Sequence, residues 1–272
     1  MNLRAALLFA RSPNTSRMQA VTASLLLLAL IVLSFTQPAA ADVRATGLAY
    51  AVGSQEMLYS ETFTRLTDTE ERVDYRDMTG KLIAEKHLFY GANTWAPEFD
   101  QFDLRLGEKI TVRRGDGVLI AGYQHGEQNS FRSTVIDDAP MLVIDAGFDG
   151  FVRAHWQRVM LGKKLDLAFL LPTRGRTIVL KIHSVDALNF NFPQPLEDDS
   201  VLFVRIAPAG WLMRVVVDPI ELAYDITSRR LLAFRDISNL RNDDGVSQQV
   251  EIYYRYPDTP SNSQLARQTT TF

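Results

Sequence analysis

Apolar and polar residues alternate with period two along most of this chain, which is the pattern of strands that bury one face. Runs of this kind follow one another over residues 46–256, separated by short turn sequences such as those at residues 78–80 and 114–117. Both turns contain glycine, which supplies the positive φ that a tight hairpin needs. The pattern therefore predicts a large antiparallel sheet built as a meander.

The segment over residues 145–161 departs from this alternation, because its apolar positions recur every three or four residues, the period of a helix. The predicted apolar face contains seven residues: Phe148, Phe151, Val152, His155, Trp156, Val159 and Met160. The opposite face contains Arg153, Gln157 and Arg158. An isolated helix of this length is marginal in water, so its aromatic face needs a surface to pack on. We expect one amphipathic helix over about residues 148–160, packed against the sheet.

The two patterns together predict a mainly β, α+β fold, in which the helix covers one strongly curved sheet or open β-barrel. No linker and no repeat of fixed period divides residues 42–256, so they are expected to form a single domain. The last third predicts strands at 212–226, 230–237 and 249–256, and Pro219 places the first of these at an edge or a bulge. Residues 257–272 are polar and turn-rich, and are expected to form a disordered tail.

Residues 1–41 have the features of a secretory signal peptide. Three arginines precede an apolar run over residues 20–35, and small residues follow at the positions that a signal peptidase recognises. The run is shorter than the ~20 residues of a comfortable membrane span, which favours cleavage after Ala41 over an uncleaved anchor. A chain without cysteine fits export to a bacterial periplasm, and no transmembrane segment is expected after cleavage.

Composition excludes several partners and chemistries. Removing residues 1–41 removes three of the 29 basic side chains and none of the 32 acidic ones, so the remaining chain has a net charge of −6. Nucleic acid is therefore not an expected partner. The lack of cysteine excludes thiolate metal sites, the four histidines lack metal-site spacing, and the chain contains no phosphate loop or dinucleotide fingerprint. No metal and no cofactor are expected.

Two sets of residues are candidates for acid–base chemistry. One is a set of aspartates around the start of the predicted helix: Asp137, Asp138, Asp145 and Asp149. For the last two, negative charge near a helix N-terminus is the stronger explanation. The other set is His155 and His183, which are better explained as core or boundary residues.

The stretch YDITSRRLLAFRDISN at residues 224–239, with residues 250–256 behind it, resembles the closing meander of uncharacterised secreted bacterial proteins. A signal peptide, a long antiparallel sheet and a helix inserted midway are also similar to the open barrels of the LolA-type lipoprotein carriers. The resemblance covers topology and includes no functional motif, so no site residue is carried over. It implies a curved sheet with a concave, apolar side that the helix at residues 148–160 plugs.

Three functions from different classes fit these observations. The first is a periplasmic binding module or carrier for a lipid or other apolar ligand. Its ligand-binding residues would be the aromatic side chains near the opening between helix and sheet: Phe148, Phe151, Trp156, Phe190 and Phe192. An ordinary hydrophobic core explains the same residues equally well. The second is an envelope scaffold that binds protein partners through a sheet edge, and the third is a hydrolase that uses an aspartate with His155 or His183.

Overall fold

The computed structural model of the chain describes residues 42–190, 200–209 and 219–257. Within these ranges the chain forms fifteen strands in one sheet, with two short α-helices between the ninth strand and the tenth. The prediction of a mainly β fold with a large curved sheet is confirmed. The predicted signal peptide, the tail beyond residue 257 and Phe192 lie outside the described ranges. Among the described residues, no helix is long and apolar enough to cross a membrane.

The strands follow the predicted runs closely. The strands before the helices are β1 (Asp42–Ala51), β2 (Met57–Arg65), β3 (Glu70–Arg76), β4 (Leu82–Phe89), β5 (Glu98–Asp103), β6 (Glu108–Arg114), β7 (Val118–Gln124), β8 (Arg132–Asp137) and β9 (Leu142–Val143). The helices α1 (Gly147–Ala154) and α2 (Trp156–Met160) come next. The remaining strands are β10 (Leu165–Leu171), β11 (Arg176–Val185), β12 (Val201–Pro208), β13 (Ile220–Asp225), β14 (Leu231–Arg241) and β15 (Ser247–Arg255).

The sheet is a meander in which the first and last strands meet. Strands β2 to β8 and strands β10 to β15 each pair with their neighbours in sequence, and β1 pairs with both β2 and β15. These pairs are antiparallel, whereas β9 runs parallel to β10. The two edges of the sheet are β8 and β9, although only residues 138–141 connect them along the chain. The sheet must therefore curl until its edges approach each other.

Contacts between strands that are far apart in the sheet show this curvature. The amide of Gln101 on β5 donates a hydrogen bond of 2.9 Å to the carbonyl of Asn239 on β14, although five strands (β4, β3, β2, β1 and β15) lie between β5 and β14. The guanidinium Nε of Arg241 donates to Glu108 Oε1 at 3.0 Å in the same way, from β14 to β6. One face of the sheet is therefore concave and closes on itself as the interior.

The predicted helix is present but is divided into α1 and α2 at His155. The backbone of His155 (φ −108°, ψ 19°) leaves the helical region. Its ring Nδ1 lies 3.0 Å from the carbonyl oxygen of Phe151, which also accepts the backbone N–H of His155 at 3.1 Å. A side chain that shares a backbone acceptor competes with helical hydrogen bonding, and apolar periodicity does not reveal such competition.

Burial along the helices follows the predicted period with one exception. Five residues of the predicted apolar face are buried: Phe148, Phe151, Val152, Trp156 and Val159. The three residues predicted on the opposite face are exposed: Arg153, Gln157 and Arg158. Met160, predicted on the apolar face, is 39% exposed. The division at His155 changes the register of the second helix, so its last residue leaves the apolar side.

Two apolar clusters fill the interior. The first, here called the meander core, is built mainly by strands β1 to β7 with β15. The second, here called the helix core, lies between the two helices and strands β10 to β13. The expectation that the concave side is apolar is only partly correct, because several charged or amide side chains are buried in phase with the apolar ones: Glu61, Glu71, Lys86, Gln101, Asp103 and Glu108.

Pro219 does not place its strand at a sheet edge, so the first alternative of that prediction is wrong. Strand β13 lies inside the sheet between β12 and β14, and it begins at Ile220 directly after the proline. A proline just before a strand removes no hydrogen bond from the ladder. The irregular pairing of this strand falls instead between Ala223 and Tyr224, and the part of the predicted strand before Pro219 lies outside the described ranges.

Candidate functional site

Helix α1 lies directly against the loop between β4 and β5. A Cβ atom added to Gly147 would be 2.0 Å from the carbonyl oxygen of Trp95, and one added to Gly150 would be 3.1 Å from the carbonyl oxygen of Thr94. The same carbonyl of Trp95 accepts the N–H of Ile144 at 3.0 Å. The two glycines thus give α1 a bare face on which the loop backbone packs.

Gly147→Ala is expected to lower the free energy of unfolding by about 1–3 kcal/mol, because the added methyl group meets backbone rather than a flexible side chain. On an exposed helix, the same substitution stabilises by up to ~1 kcal/mol, so the sign of the effect reports the contact with the loop. Urea denaturation measures it. Gly91→Ala is the control, because a Cβ atom there meets open space. Greater stability of Gly147→Ala would show that the loop does not rest on the helix.

The structure brings three of the predicted ligand-binding residues together in the helix core: Phe148, Phe151 and Trp156. The ring of Phe148 stacks on Phe169 of β10 with centroids 4.6 Å apart. Trp95 meets the ring of Phe151 edge-on at 6.0 Å, and Trp156 meets Tyr224 of β13 edge-on at 5.8 Å. Trp95 and Tyr224 thus complete an aromatic group around α1 that the sequence pattern did not identify.

The structure separates Phe190 from that group. Phe190 packs with Phe203 and Tyr253, whose side chains project from the face of β12 and β15 opposite to the helices. The Arg235 guanidinium lies 4.6 Å from the centroid of the Phe190 ring on that same face. The first three aromatic residues and Phe190 therefore lie on different sides of the sheet. The role of all these residues in ligand binding stays a prediction, and Phe192 lies outside the described ranges.

Four buried side-chain atoms close to α1 lack a hydrogen-bond partner among the described residues: Asn93 Oδ1, Trp95 Nε1, Asp149 Oδ1 and Tyr224 Oη. Buried polar atoms are nearly always paired in native interiors, so each of these needs an explanation. The atoms differ in chemistry, because the indole N–H only donates, an ionised carboxylate only accepts and a phenol does both. Together with the helix core they form the candidate site of this protein, here called the helix site.

Charged groups surround the helix site. Asp149 accepts a hydrogen bond from Arg153, one turn further along α1. Burial raises the pKa of Asp149, and the charges of Arg153 and Arg44 oppose this rise. Burial, followed by the nearby Asp149, raises the pKa of Tyr224 well above its ordinary value and that of Tyr256 to about 12. Both tyrosine hydroxyls are therefore protonated and able to donate at neutral pH.

A second cluster of polar side chains lies in the meander core. Lys86 Nζ donates to the two carboxylate oxygens of Asp145 at 2.7 and 2.8 Å, and these side chains are 1% and 7% exposed. Tyr254 donates to Glu61 Oε1 at 2.8 Å. Burial raises the pKa of Glu61 to about 7, while the hydrogen bond from Tyr254 and the charge of Lys86 lower it and Asp145 raises it further. Glu61 is therefore a buried acid that ionises near neutral pH.

The raised pKa of Glu61 predicts a loss of stability as the pH rises. The folded state holds the proton up to a pKa of about 7, against 4.5 as the ordinary value, so this stabilising contribution is complete below 4.5 and is lost as the pH rises through 7. The loss amounts to about 3 kcal/mol. Glu61→Gln keeps an acceptor for Tyr254 and cannot ionise. Its unfolding free energy relative to the wild type should therefore increase between about pH 5 and about pH 8.

Denaturant melts at the two pH values test this prediction, with Glu56→Gln as the control because Glu56 is an exposed glutamate in the turn after β1. The difference between wild type and Glu56→Gln should stay constant with pH. If the difference between wild type and Glu61→Gln also stays constant, Glu61 does not have the raised pKa.

Three of the aspartates that the sequence singled out have separate partners. Asp138 pairs with Arg114, Asp145 with Lys86 and Asp149 with Arg153. Asp145 lies near the start of α1 but does not cap it, because the N-cap is residue 146 and no side-chain hydrogen bond caps the helix. Asp149 does lie in the first turn of α1. These aspartates form no shared site, since each neutralises a different cation.

His155 lies in an aromatic environment. Its ring stacks on Phe151 with centroids 4.4 Å apart and meets Trp95 edge-on at 5.7 Å. The polar contact of its Nδ1 is the carbonyl of Phe151 rather than a carboxylate. A boundary histidine, as the sequence favoured, describes this position better than a general base.

No family model matches the chain, and no curated protein matches it. Among solved structures, the chain is similar to a crystal structure described as a β-barrel-like protein of domain of unknown function DUF1849 from Brucella abortus. The two share 9% sequence identity and a TM-score of 0.40, over 80% of this chain and 99% of that chain. The likeness to LolA-type carriers stays a prediction.

Proposed function

We propose that the protein is a binding module that holds an amphipathic lipid at the helix site, with the acyl chain in the helix core and the polar head group beside Tyr224. The observation that carries this proposal is the group of four buried, unpartnered polar atoms around α1, next to a wall of aromatic rings. A lipid head group with hydroxyl or amide groups would supply the missing hydrogen bonds. Binding sites commonly combine apolar walls with a few polar groups.

The charges at the helix site favour a neutral head group. Asp149 is balanced by its ion pair with Arg153. The guanidinium of Arg44 already holds Glu71, with Nε–Oε1 at 2.7 Å. A free fatty acid would bring a second carboxylate towards Asp149 without a dedicated cation, which is unfavourable in a buried site. A monoacylglycerol or a fatty amide meets the donors and acceptors without adding charge.

Tyr224→Phe is expected to change stability and ligand binding in opposite directions. Without ligand, the variant should be about 1–3 kcal/mol more stable, because it removes a buried hydroxyl that lacks a partner. Binding of a monoacylglycerol should weaken by about two- to tenfold, because one hydrogen bond to the head group is lost. Denaturant melts and titration with a monoacylglycerol that carries a fluorescent acyl chain measure the two effects.

Tyr50→Phe is the matched control, because Tyr50 packs in the Phe190 cluster on the other face of the sheet. It should leave binding unchanged. No binding of the probe by the wild type, or equal weakening by both variants, would overturn the proposal. Tighter binding of a fluorescent fatty acid than of the monoacylglycerol would refute the neutral head group.

We also propose that the protein acts in the periplasm after loss of residues 1–41, on the basis of the basic, apolar and small-residue pattern of that segment. N-terminal sequencing of the exported protein should then begin at Asp42. An intact Met1 in the membrane fraction would contradict this.

A further inference from the structure

The two edges of the sheet differ in length and exposure. β9 consists of Leu142 and Val143, which are 1% and 0% exposed. β8 extends over six residues, and all of them are exposed except Ile136, which is half-buried. A very short, covered edge strand is protected against pairing with another chain, whereas a long exposed one is not.

Strand β8 lacks several of the usual protections of an edge. It pairs with β7 without a register shift, and among the described residues no backbone hydrogen bond reaches its other side. Its sequence, RSTVID, contains neither lysine nor proline. The turn after β10 approaches β8 from the concave side, where Gly175 lies against Thr134. The backbone edge itself therefore offers free donors and acceptors.

The convex side of this edge is apolar. Val135 is 65% exposed, Phe131 48% and Ile120 39%. Ile120 lies opposite Val135 in the pairing of β7 with β8, and the ring of Phe131 covers Gly122 on the same face. These side chains extend the open backbone edge with a small hydrophobic surface, which is typical of an interaction site.

We propose that two copies of the protein associate through β8, which pairs antiparallel with β8 of the second copy. The charges of β8 favour pairing with a second copy, because Arg132 lies at the start of the strand and Asp137 and Asp138 lie at its end. Antiparallel self-pairing places each Arg132 near the acidic end of the other copy, and opposite charges across a strand pair are stabilising. A parallel arrangement would instead place like charges side by side.

The symmetry of such a dimer restricts the register. A two-fold axis perpendicular to the sheet keeps the same face of both strands on one side, so directly opposed residues must share a face. With Val135 on the axis, Arg132 lies opposite Asp138 of the second copy, next to the existing pair of Asp138 with Arg114. The exposed Val135 and Ile120 of both copies then form one continuous apolar strip.

Val135→Cys tests this register directly, because the natural chain contains no cysteine. Residues that face each other across an antiparallel pair have Cα atoms about 4.5–5.5 Å apart, within the range of a disulfide. Mild oxidation should therefore convert this variant into a covalent dimer on a non-reducing gel. Val179→Cys is the control, because Val179 is 56% exposed on β11, which has a neighbour on each side. Equal cross-linking of both variants, or none at Val135, would overturn the proposed register.

Sedimentation equilibrium of the unmodified protein tests the association itself. The wild type should show a concentration-dependent dimer, and Val135→Lys should remain a monomer because two ammonium groups would meet on the axis. Val179→Lys should dimerise like the wild type. A wild type that is monomeric at every concentration up to about 1 mM would refute self-association. Because β8 lies outside the helix site, this result leaves the proposed lipid binding untouched.

Discussion

Trp156→Ala is expected to lower the free energy of unfolding by about 3–5 kcal/mol. The indole is 4% exposed, meets Tyr224 edge-on and lies 5.5 Å below the guanidinium of Arg229. Its removal leaves a cavity in the helix core, and the loss approaches the whole stability of many domains. Urea denaturation followed by circular dichroism measures the effect.

Gln157→Ala is the matched control for this prediction, because Gln157 is the next residue and is exposed. It should change stability by less than ~0.5 kcal/mol. Arg153 is a poorer control, since it pairs with Asp149 at the helix site. A loss below ~2 kcal/mol for Trp156→Ala would mean that the indole does not anchor the helices.

Lys86→Met is expected to lower the free energy of unfolding by about 3–5 kcal/mol, because it leaves the carboxylate of Asp145 buried without its counter-ion. Lys86 is the most buried cation of the meander core, and its ammonium also lies 5.3 Å from the centroid of the Phe99 ring. Asp145 precedes α1 with a φ of 51°, so the ion pair fixes the backbone that leads into the helix. Denaturant melts measure the loss.

A second substitution in the same chain distinguishes a lost ion pair from a general packing defect. Asn tolerates a positive φ and needs no counter-ion, so Lys86→Met combined with Asp145→Asn should be more stable than Lys86→Met alone. If the double variant is no more stable, the cost of Lys86→Met does not come from an uncompensated Asp145.

The fold could be predicted to a large extent because burial imposes a period on the sequence. The strands alternate cleanly where their inward side chains are apolar, as in β6, where Ile110 and Val112 are buried and Thr111 and Arg113 are not. The alternation is less clear in β5, because Gln101 and Asp103 face the interior together with Phe99. The hydrogen bond from Gln101 to β14 depends on the curvature of the sheet, and the order of residues in one strand does not contain that information.

The candidate site could be predicted only in part. Phe148, Phe151 and Trp156 share a helical face, so their common surroundings followed from the period of the helix. The position of Phe190 depends on the path of the chain after β11, which no local pattern specifies. Lys86 did leave a signal, because it occupies an inward position between Ala84 and Leu88 on β4. A charged residue in phase with apolar ones indicates a buried partner, but the partner, Asp145, is 59 residues away.

Native mass spectrometry of the protein purified without detergent tests lipid binding at the helix site most directly. The wild type should retain a bound lipid with a neutral head group, or take up a monoacylglycerol offered in excess, in a ratio of one lipid per chain. Tyr224→Phe should retain less of it than Tyr50→Phe under the same conditions. A wild type that carries no lipid after purification and takes up none from monoacylglycerol would contradict a lipid-binding function.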